Sequence, residues 1–328
     1  MMLLLVLLPS LVSLAVTGFT TFNPIIQKRA QVLYNYLDLG KRYTSTYENA
    51  PFWPQTLDDC ASDASFCIKI ALMSDIQRIR VDVRLRLTNS DRRMIEWVVL
   101  LCKHLLEGDD KAPLHSRLRV FMEDDAQIEV ASAILTKMSG NQDLEQKKSI
   151  KFNKMSEIDD FSPEDTLFII VNPNNIVSSN ITSTLLEDVQ AICFHGALRN
   201  IPTIMTNPSL IATAWNDYGP MSPLLLSDFA QAYFICDDFF MMSRRDQFIG
   251  LVQRPNTGLD LFMLHGLYQG KYAPEKYERI ESFPDGMPDN IRSHVAHHLA
   301  TKDPYFRLHH IINTNRSVRN LRDEYSLE

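Results

Sequence analysis

The residues of this chain best placed for chemistry are polar groups that close short apolar runs. Arg117–Glu123 ends in the acids Glu123, Asp124 and Asp125. Thr166–Val171 is followed by Asn172, Asn174 and Asn175, and Ile201–Thr206 by Asn207 and Ser209. Carboxylates and amides of this kind hydrogen-bond polar ligands. In open α/β sheets, ligands bind beyond the carboxyl ends of the strands. The candidate ligand-binding set is therefore Glu123, Asp124, Asn172, Asn174, Asn207 and Ser209. Structural roles compete with this reading: Asp124 or Asp125 can cap the next helix, and Asn-Pro is a common strand terminator.

Standard catalytic signatures are absent, and no catalytic residue is assigned. There is no GxxxxGK[ST] phosphate loop, GxGxxG, HExxH or GxSxG. Gly266-Leu-Tyr-Gln-Gly270-Lys271 is one residue too short for a phosphate loop and follows a hairpin strand instead of opening a helix. His294, His297 and His298 share a helical face, which reads as solvated rather than metal-binding. His195 reads as a packed or surface histidine, Cys60 and Cys67 as core, and Asp237 and Asp238 as turn residues. No cofactor and no metal are expected.

Stepping outward, the elements that position these groups alternate. Residues 56–72 read as a helix capped by Thr56, with Leu57, Cys60, Ala64, Cys67 and Ala71 on one face. Residues 78–87, RIRVDVRLRL, read as a strand with one apolar and one charged face. The charged face, Arg78 to Arg86, reads as an exposed sheet edge; binding phosphate or a partner's acids is the other role open to it. Helices are expected over 91–107, from about 125 to Gly140 with Ile128, Ala131, Ile134, Leu135 and Met138 inward, and over 182–199 with Leu185, Val189 and Ile192 inward. Further strands are expected over 149–155, 166–171, 201–206, 229–236, 246–254 and 259–265. The last two form a hairpin about Pro255–Gly258. A helix is expected over 284–300. This order predicts an α/β fold: a mainly parallel, doubly wound, Rossmann-like sheet with an antiparallel C-terminal extension.

Composition narrows the function classes. The 328 residues carry 33 Lys and Arg against 40 Asp and Glu, a net charge of −7, which argues against nucleic-acid binding. At 45% hydrophobic and 22% charged, the chain is globular and not mostly disordered. Five cysteines do not form a disulfide framework. No apolar run after the N-terminus is long enough for a membrane span.

Residues 1–18, MMLLLVLLPSLVSLAVTG, read as a signal peptide cleaved between Gly18 and Phe19. Residues 19–50 are basic and hydroxylated, like a transit peptide. The pair resembles the bipartite targeting of algae with complex plastids, where an aromatic residue just after cleavage decides import. The expected address is thus the plastid, with secretion the alternative that the sequons at Asn180 and Asn315 would serve. Residues 51–312 read as a single α/β domain and 313–328 as a polar tail.

The motifs together resemble a known family. RIRVDV, VFMEDDAQIEVA, FIIVNPNN, IPTIMTNPSL and SDFAQAYFI are similar to successive segments of a domain of unknown function from cyanobacteria, algae and plant plastids. That domain occurs alone, in a photosystem II low-accumulation assembly protein, and as the C-terminal extension of a chloroplast adenylate kinase. The resemblance spans roughly residues 51–265. It implies a non-catalytic accessory or assembly factor for photosynthetic complexes, with thylakoid or photosystem assembly proteins as partners. A small-molecule or nucleotide-binding enzyme using the strand-end residues is the alternative. The kinase activity of the fused relative resides in a separate domain, so adenylate kinase activity is not expected here. Asp124, Asn172 and Asn207 stand at the family's pattern positions, although Glu123-Asp124-Asp125 replaces the usual proline-aspartate-glycine.

Overall fold

The computed structural model describes residues 52–88, 90–107, 116–139, 149–158, 161–177, 180–181, 183–210, 224–241, 247–255, 258–265 and 276–284. All belong to one unit, Pro51–Glu328. The targeting segment with Gly18 and Phe19, the Gly266–Lys271 stretch, the expected helix beyond Pro284 with its three histidines, Asn315 and the tail lie outside the described residues.

Helix α1 (Leu57–Met73) starts where the sequence places it. The Thr56 hydroxyl accepts from the Asp59 N–H, and the Asp59 carboxylate accepts from the Thr56 N–H, both at 3.0 Å. This reciprocal cap satisfies two otherwise orphaned donors. Cys60, Ala64, Cys67 and Ala71, at three- and four-residue steps, are all buried. They face helix α2 (Asp91–Leu106), which buries Trp97, Val98, Leu101, Cys102 and Leu105. Helix α3 is Asp125–Ser139 and helix α4 is Ser183–Arg199. On α3, Ala131 and Leu135 are buried and Ile128 and Ile134 pack against the core. Met138, expected inward, is instead exposed in the last turn.

The strands are β1 (Arg78–Arg84), β2 (Leu118–Met122), β3 (Ile150–Lys154), β4 (Leu167–Val171), β7 (Thr203–Thr206), β8 (Ala230–Met241), β9 (Gln247–Arg254), β10 (Gly258–His265) and β11 (Lys276–Phe283). They form one nine-stranded sheet in the order β11-β10-β9-β8-β1-β7-β4-β2-β3. β5 (Ile176–Val177) and β6 (Asn180–Ile181) make a separate small ribbon. From β8 to β3 every pairing is parallel; from β8 to β11 every pairing is antiparallel. The mixed, doubly wound α/β architecture matches expectation, and β11 adds a strand that the sequence pattern did not suggest.

Helices α1, α2 and α3 pack on one face of the sheet, against Ile79, Val81, Val120, Met122 and Ile169. Helix α4 packs on the other, through Val189, Ile192 and Cys193 against Phe121, Phe168, Ile170 and Met205. β2 and β4 are covered on both faces, which is why they read as near-continuous apolar runs.

β1 corrects the sequence reading. Its two faces are as expected, but it is no edge strand: it lies between β7 and β8 and pairs with both. Its charged face is answered locally. Asp82 is only 2% exposed and pairs with Arg80 at 2.8 Å, and Arg78 pairs with Asp228. Charges that keep an edge soluble also suit an inner strand when acids stand beside them.

The antiparallel extension is tied to α1. Arg254, on β9, is buried and meets the Asp63 carboxylate at 2.7–3.0 Å, Asp260 at 3.5 Å and the Phe52 carbonyl at 3.0 Å. Burial works against the guanidinium's charge, but the charge and hydrogen bonds of Asp63 more than offset it and hold its pKa above the ordinary value. Ser282 on β11 in turn donates to Asp260. Trp53 lies beside Gly250, where a Cβ would stand 2.5 Å from the indole ring.

Candidate functional site

β1 ends at Arg84, and residues 86–88 turn into a single 3-10 turn before α2. This places Arg84 and Arg86 at the carboxyl edge of the sheet. A cavity of about 520 Å³ opens there. Its wall is the end of β1 with Arg84, Arg86 and Thr88, the first turns of α2 with Asp91 and Met94, Asn172 after β4, Asn207 after β7, and Cys236 with Asp237 on β8.

The two asparagines hold the same unusual backbone. Asn172 has φ 48° and Asn207 φ 44°, in the left-handed region that asparagine tolerates better than most residues. The Asn172 N–H donates to the Thr206 carbonyl at 3.0 Å, and the Asn207 N–H to the Val81 carbonyl at 2.9 Å. Each therefore completes its strand's ladder, turns sharply, and hands over to a proline. The Asn207 side-chain Oδ1 accepts from the Val83 N–H at 2.5 Å, pinning the end of β7 to β1, and the side-chain Nδ2 stands 3.5 Å from the Met94 sulfur.

Asp237 was expected in a turn. It lies instead inside β8, which continues to Met241 through a register shift against β9. It is 4% exposed, and its two oxygens accept from the Arg86 N–H at 3.2 and 3.1 Å. The Arg86 guanidinium lies 3.9 Å from the centre of the Phe248 ring, a cation–π contact. The Thr88 hydroxyl donates to the Leu85 carbonyl at 2.9 Å and closes the turn.

The six sequence-derived candidates separate into three pairs. Asn172 and Asn207 line the cavity. Asn174 and Ser209 form a parallel bridge with each other, and the Ser209 N–H donates to the Pro173 carbonyl at 2.9 Å. Glu123 and Asp124 follow β2. Asp124 takes the capping role: its carboxylate accepts from the Gln127 N–H at 2.8 Å, while Gln127 accepts from the Glu123 N–H at 3.2 Å. Burial, then Asp124, then Asp91 push the Glu123 carboxyl above its usual range. Glu123 itself is not among the residues that line the cavity.

The sequence offers Arg84 and Arg86 as part of a charged face that could bind phosphate, but it gives no sign that they meet Thr88, Asp91, Met94, Cys236 and Asp237 at one wall. The available signal was the end of the RIRVDV strand, which was read three residues too long and so concealed its carboxyl end. Burial pushes the Cys60, Cys102 and Cys193 thiols up to about 12, and Cys67 rises well above its usual value. These four are core residues, inert as nucleophiles near neutral pH. Among the described residues no group of histidine, cysteine and acid side chains is arranged to hold a metal. His195 packs against Phe161, with ring centres 4.8 Å apart and planes tilted by 37°.

Residues 54–236 match the family model described as Domain of unknown function (DUF1995). The chain belongs to this family. A comparison with curated proteins found no match. The DUF1995 segment contains α1, the parallel strands and both cavity-lining asparagines, Asn172 and Asn207. It ends at Cys236, so Asp237 and the remainder of β8 to β11 lie beyond it. Among the described residues no helix is long and apolar enough to cross a membrane.

Proposed function

We propose that this DUF1995 protein is a non-catalytic accessory factor of the plastid, assisting the assembly of photosynthetic complexes, and that its domain works by binding a small polar ligand at the carboxyl edge of the sheet. The observation that carries the binding reading is the way the cavity's polar groups are employed. The Asn207 oxygen, the Asp237 carboxylate and the Thr88 hydroxyl each hold the backbone of the β1 end. Groups so engaged shape a wall and keep it rigid, which favours a binding site over one that shuttles protons. The plastid reading is supported by the Gly18-Phe19 junction, the basic segment after it, and the family resemblance.

The test is the full-length protein with a C-terminal fluorescent tag in a complex-plastid alga, beside Phe19→Ala. Plastid fluorescence that Phe19→Ala diverts, with photosystem subunits recovered on the tagged protein, is the expected result. Secretion of both versions overturns the plastid reading. Plastid import with no thylakoid protein recovered overturns the assembly role.

A further inference from the structure

We infer that the outer face of α4 is where two copies of this chain pair, helix against helix and antiparallel, with Phe194 of each copy over Ala191 of the other. Among the described residues α4 is the one helix on its side of the sheet, while three helices cover the opposite side. Its inward side is Val189, Ile192, Cys193 and Gly196. Gly196 lets the helix lie so close to the sheet that a Cβ there would stand 2.7 Å from the Thr203 Oγ1 and 3.1 Å from the Ile201 carbonyl. A glycine at that contact seats the helix in one rotation. The outward side is thereby fixed as Glu187, Ala191, Phe194 and Leu198, at steps of four, three and four residues. Phe194 is 59% and Leu198 66% exposed, more than any other large apolar side chain among the described residues.

That spacing is the seam by which helices interlock in a coiled coil. Along it a small residue, Ala191, stands one step before a large one, Phe194. When α4 meets its own copy antiparallel, about a two-fold axis midway between these residues, each phenylalanine lies over the other copy's alanine, a knob over a gap. Leu198 then stands level with Glu187 of the second copy, and Arg199 beside it.

Charge selects that direction. The face begins with Glu187 and Asp188 and ends with Arg199, roughly 18 Å further along the helix. Burial, then Glu187, raise the Asp188 carboxyl, as befits an acidic end with no cation beside it. Arg199 is exposed and lies 5.3 Å from the centre of the Phe161 ring. Parallel pairing would set acids against acids; antiparallel pairing brings Arg199 of each copy to the acids of the other. The helix dipole favours the same placement within one copy, and exchanging the two charges separates these causes. None of these residues lines the cavity, so the pairing stands or falls apart from the ligand reading.

The experiment is sedimentation velocity of the full chain over a range of concentrations. A monomer–dimer equilibrium is expected. Phe194→Asp and Leu198→Asp should each weaken the dimer about tenfold or more, the range for losing an interface anchor. Both sites are exposed, so thermal unfolding of these variants should match that of the parent; where one fails that check, Phe194→Ala or Leu198→Ala replaces it. Arg199→Glu should also weaken the dimer, and adding Glu187→Arg should restore it, although the exchanged charges oppose the helix dipole. A monomer at every concentration overturns the proposal and leaves the face to another segment of the chain or to a different protein. A dimer indifferent to the Phe194 and Leu198 variants overturns the assignment to α4. An Arg199→Glu variant that dimerises like the parent, or that Glu187→Arg fails to restore, overturns the antiparallel arrangement.

Discussion

Replacing Arg254 with methionine should cost the domain about 3–5 kcal/mol. The guanidinium meets both oxygens of Asp63 and one of Asp260, and all three side chains are at most 5% exposed. Methionine fills a comparable volume, so the variant removes the charge without leaving a large void. Two buried carboxylates, Asp63 and Asp260, then lose the guanidinium that answered their charge, while the Ser282 hydroxyl still donates to Asp260. Against a total stability of about 5–15 kcal/mol for a typical domain, that loss is large. Urea unfolding followed by the fluorescence of the buried Trp53 and Trp97 measures it. Adding Asp63→Leu to Arg254→Met should recover much of the loss, because an ion pair replaced on both sides by apolar groups is often neutral. A loss below about 1 kcal/mol in the single variant, or a double variant as unstable as the single, would refute the reasoning.

Gly250→Ala should destabilise by about 1–3 kcal/mol, since its Cβ would meet the Trp53 ring at 2.5 and 2.6 Å; unchanged urea unfolding contradicts the packing. Alkaline pH should weaken the fold. The Cys60, Cys102 and Cys193 thiols, raised by burial to about 12, keep their protons in the folded state longer than in the unfolded one. Their stabilising effect is complete below the unfolded thiol pKa of about 8.5 and is lost as pH rises towards 12, by up to about 1.4 kcal/mol per pH unit for each thiol. Unfolding curves at pH 8, 9 and 10 that coincide would count against this. Asp124→Ala should cost about 1 kcal/mol by removing the cap of α3, and a stability equal to that of the parent would deny the cap its role.

What could be read from the sequence was mostly what neighbouring residues decide among themselves. The Thr56 cap, the periodic burial of α1 and the two-sided apolar runs of β2 and β4 are local patterns with local causes. So is the capping role of Asp124, which competes with a ligand role for the same side chain. Asn172 and Asn207 were legible because strand ends of an α/β sheet face a common edge. Partnerships across the chain were not legible. Asp63 and Arg254 are 191 residues apart, and no spacing announces that they meet. The alternation in β1 defines two faces but is silent on whether strands flank it. Asp237 and Asp238, two acids in a row, carry a turn's composition. In the fold Asp237 lies within β8 and accepts from the Arg86 N–H, 151 residues away.

The place of β1 in the sheet also governs the order in which the domain can close. This strand is made early, yet both its neighbours come late. Val83 waits for Asn207, 124 residues downstream, and Arg86 for Asp237. Until those segments exist, the apolar face of β1 has α1 and α2 to shelter it but no strand to pair with on either side. Loop closure of that length is entropically costly before any contact rewards it, so folding should be slow and should finish only after β8 has left the ribosome. During synthesis the nascent chain therefore presents an unpaired strand at its centre, a state suited to recognition by chaperones and open to misassembly when they are scarce.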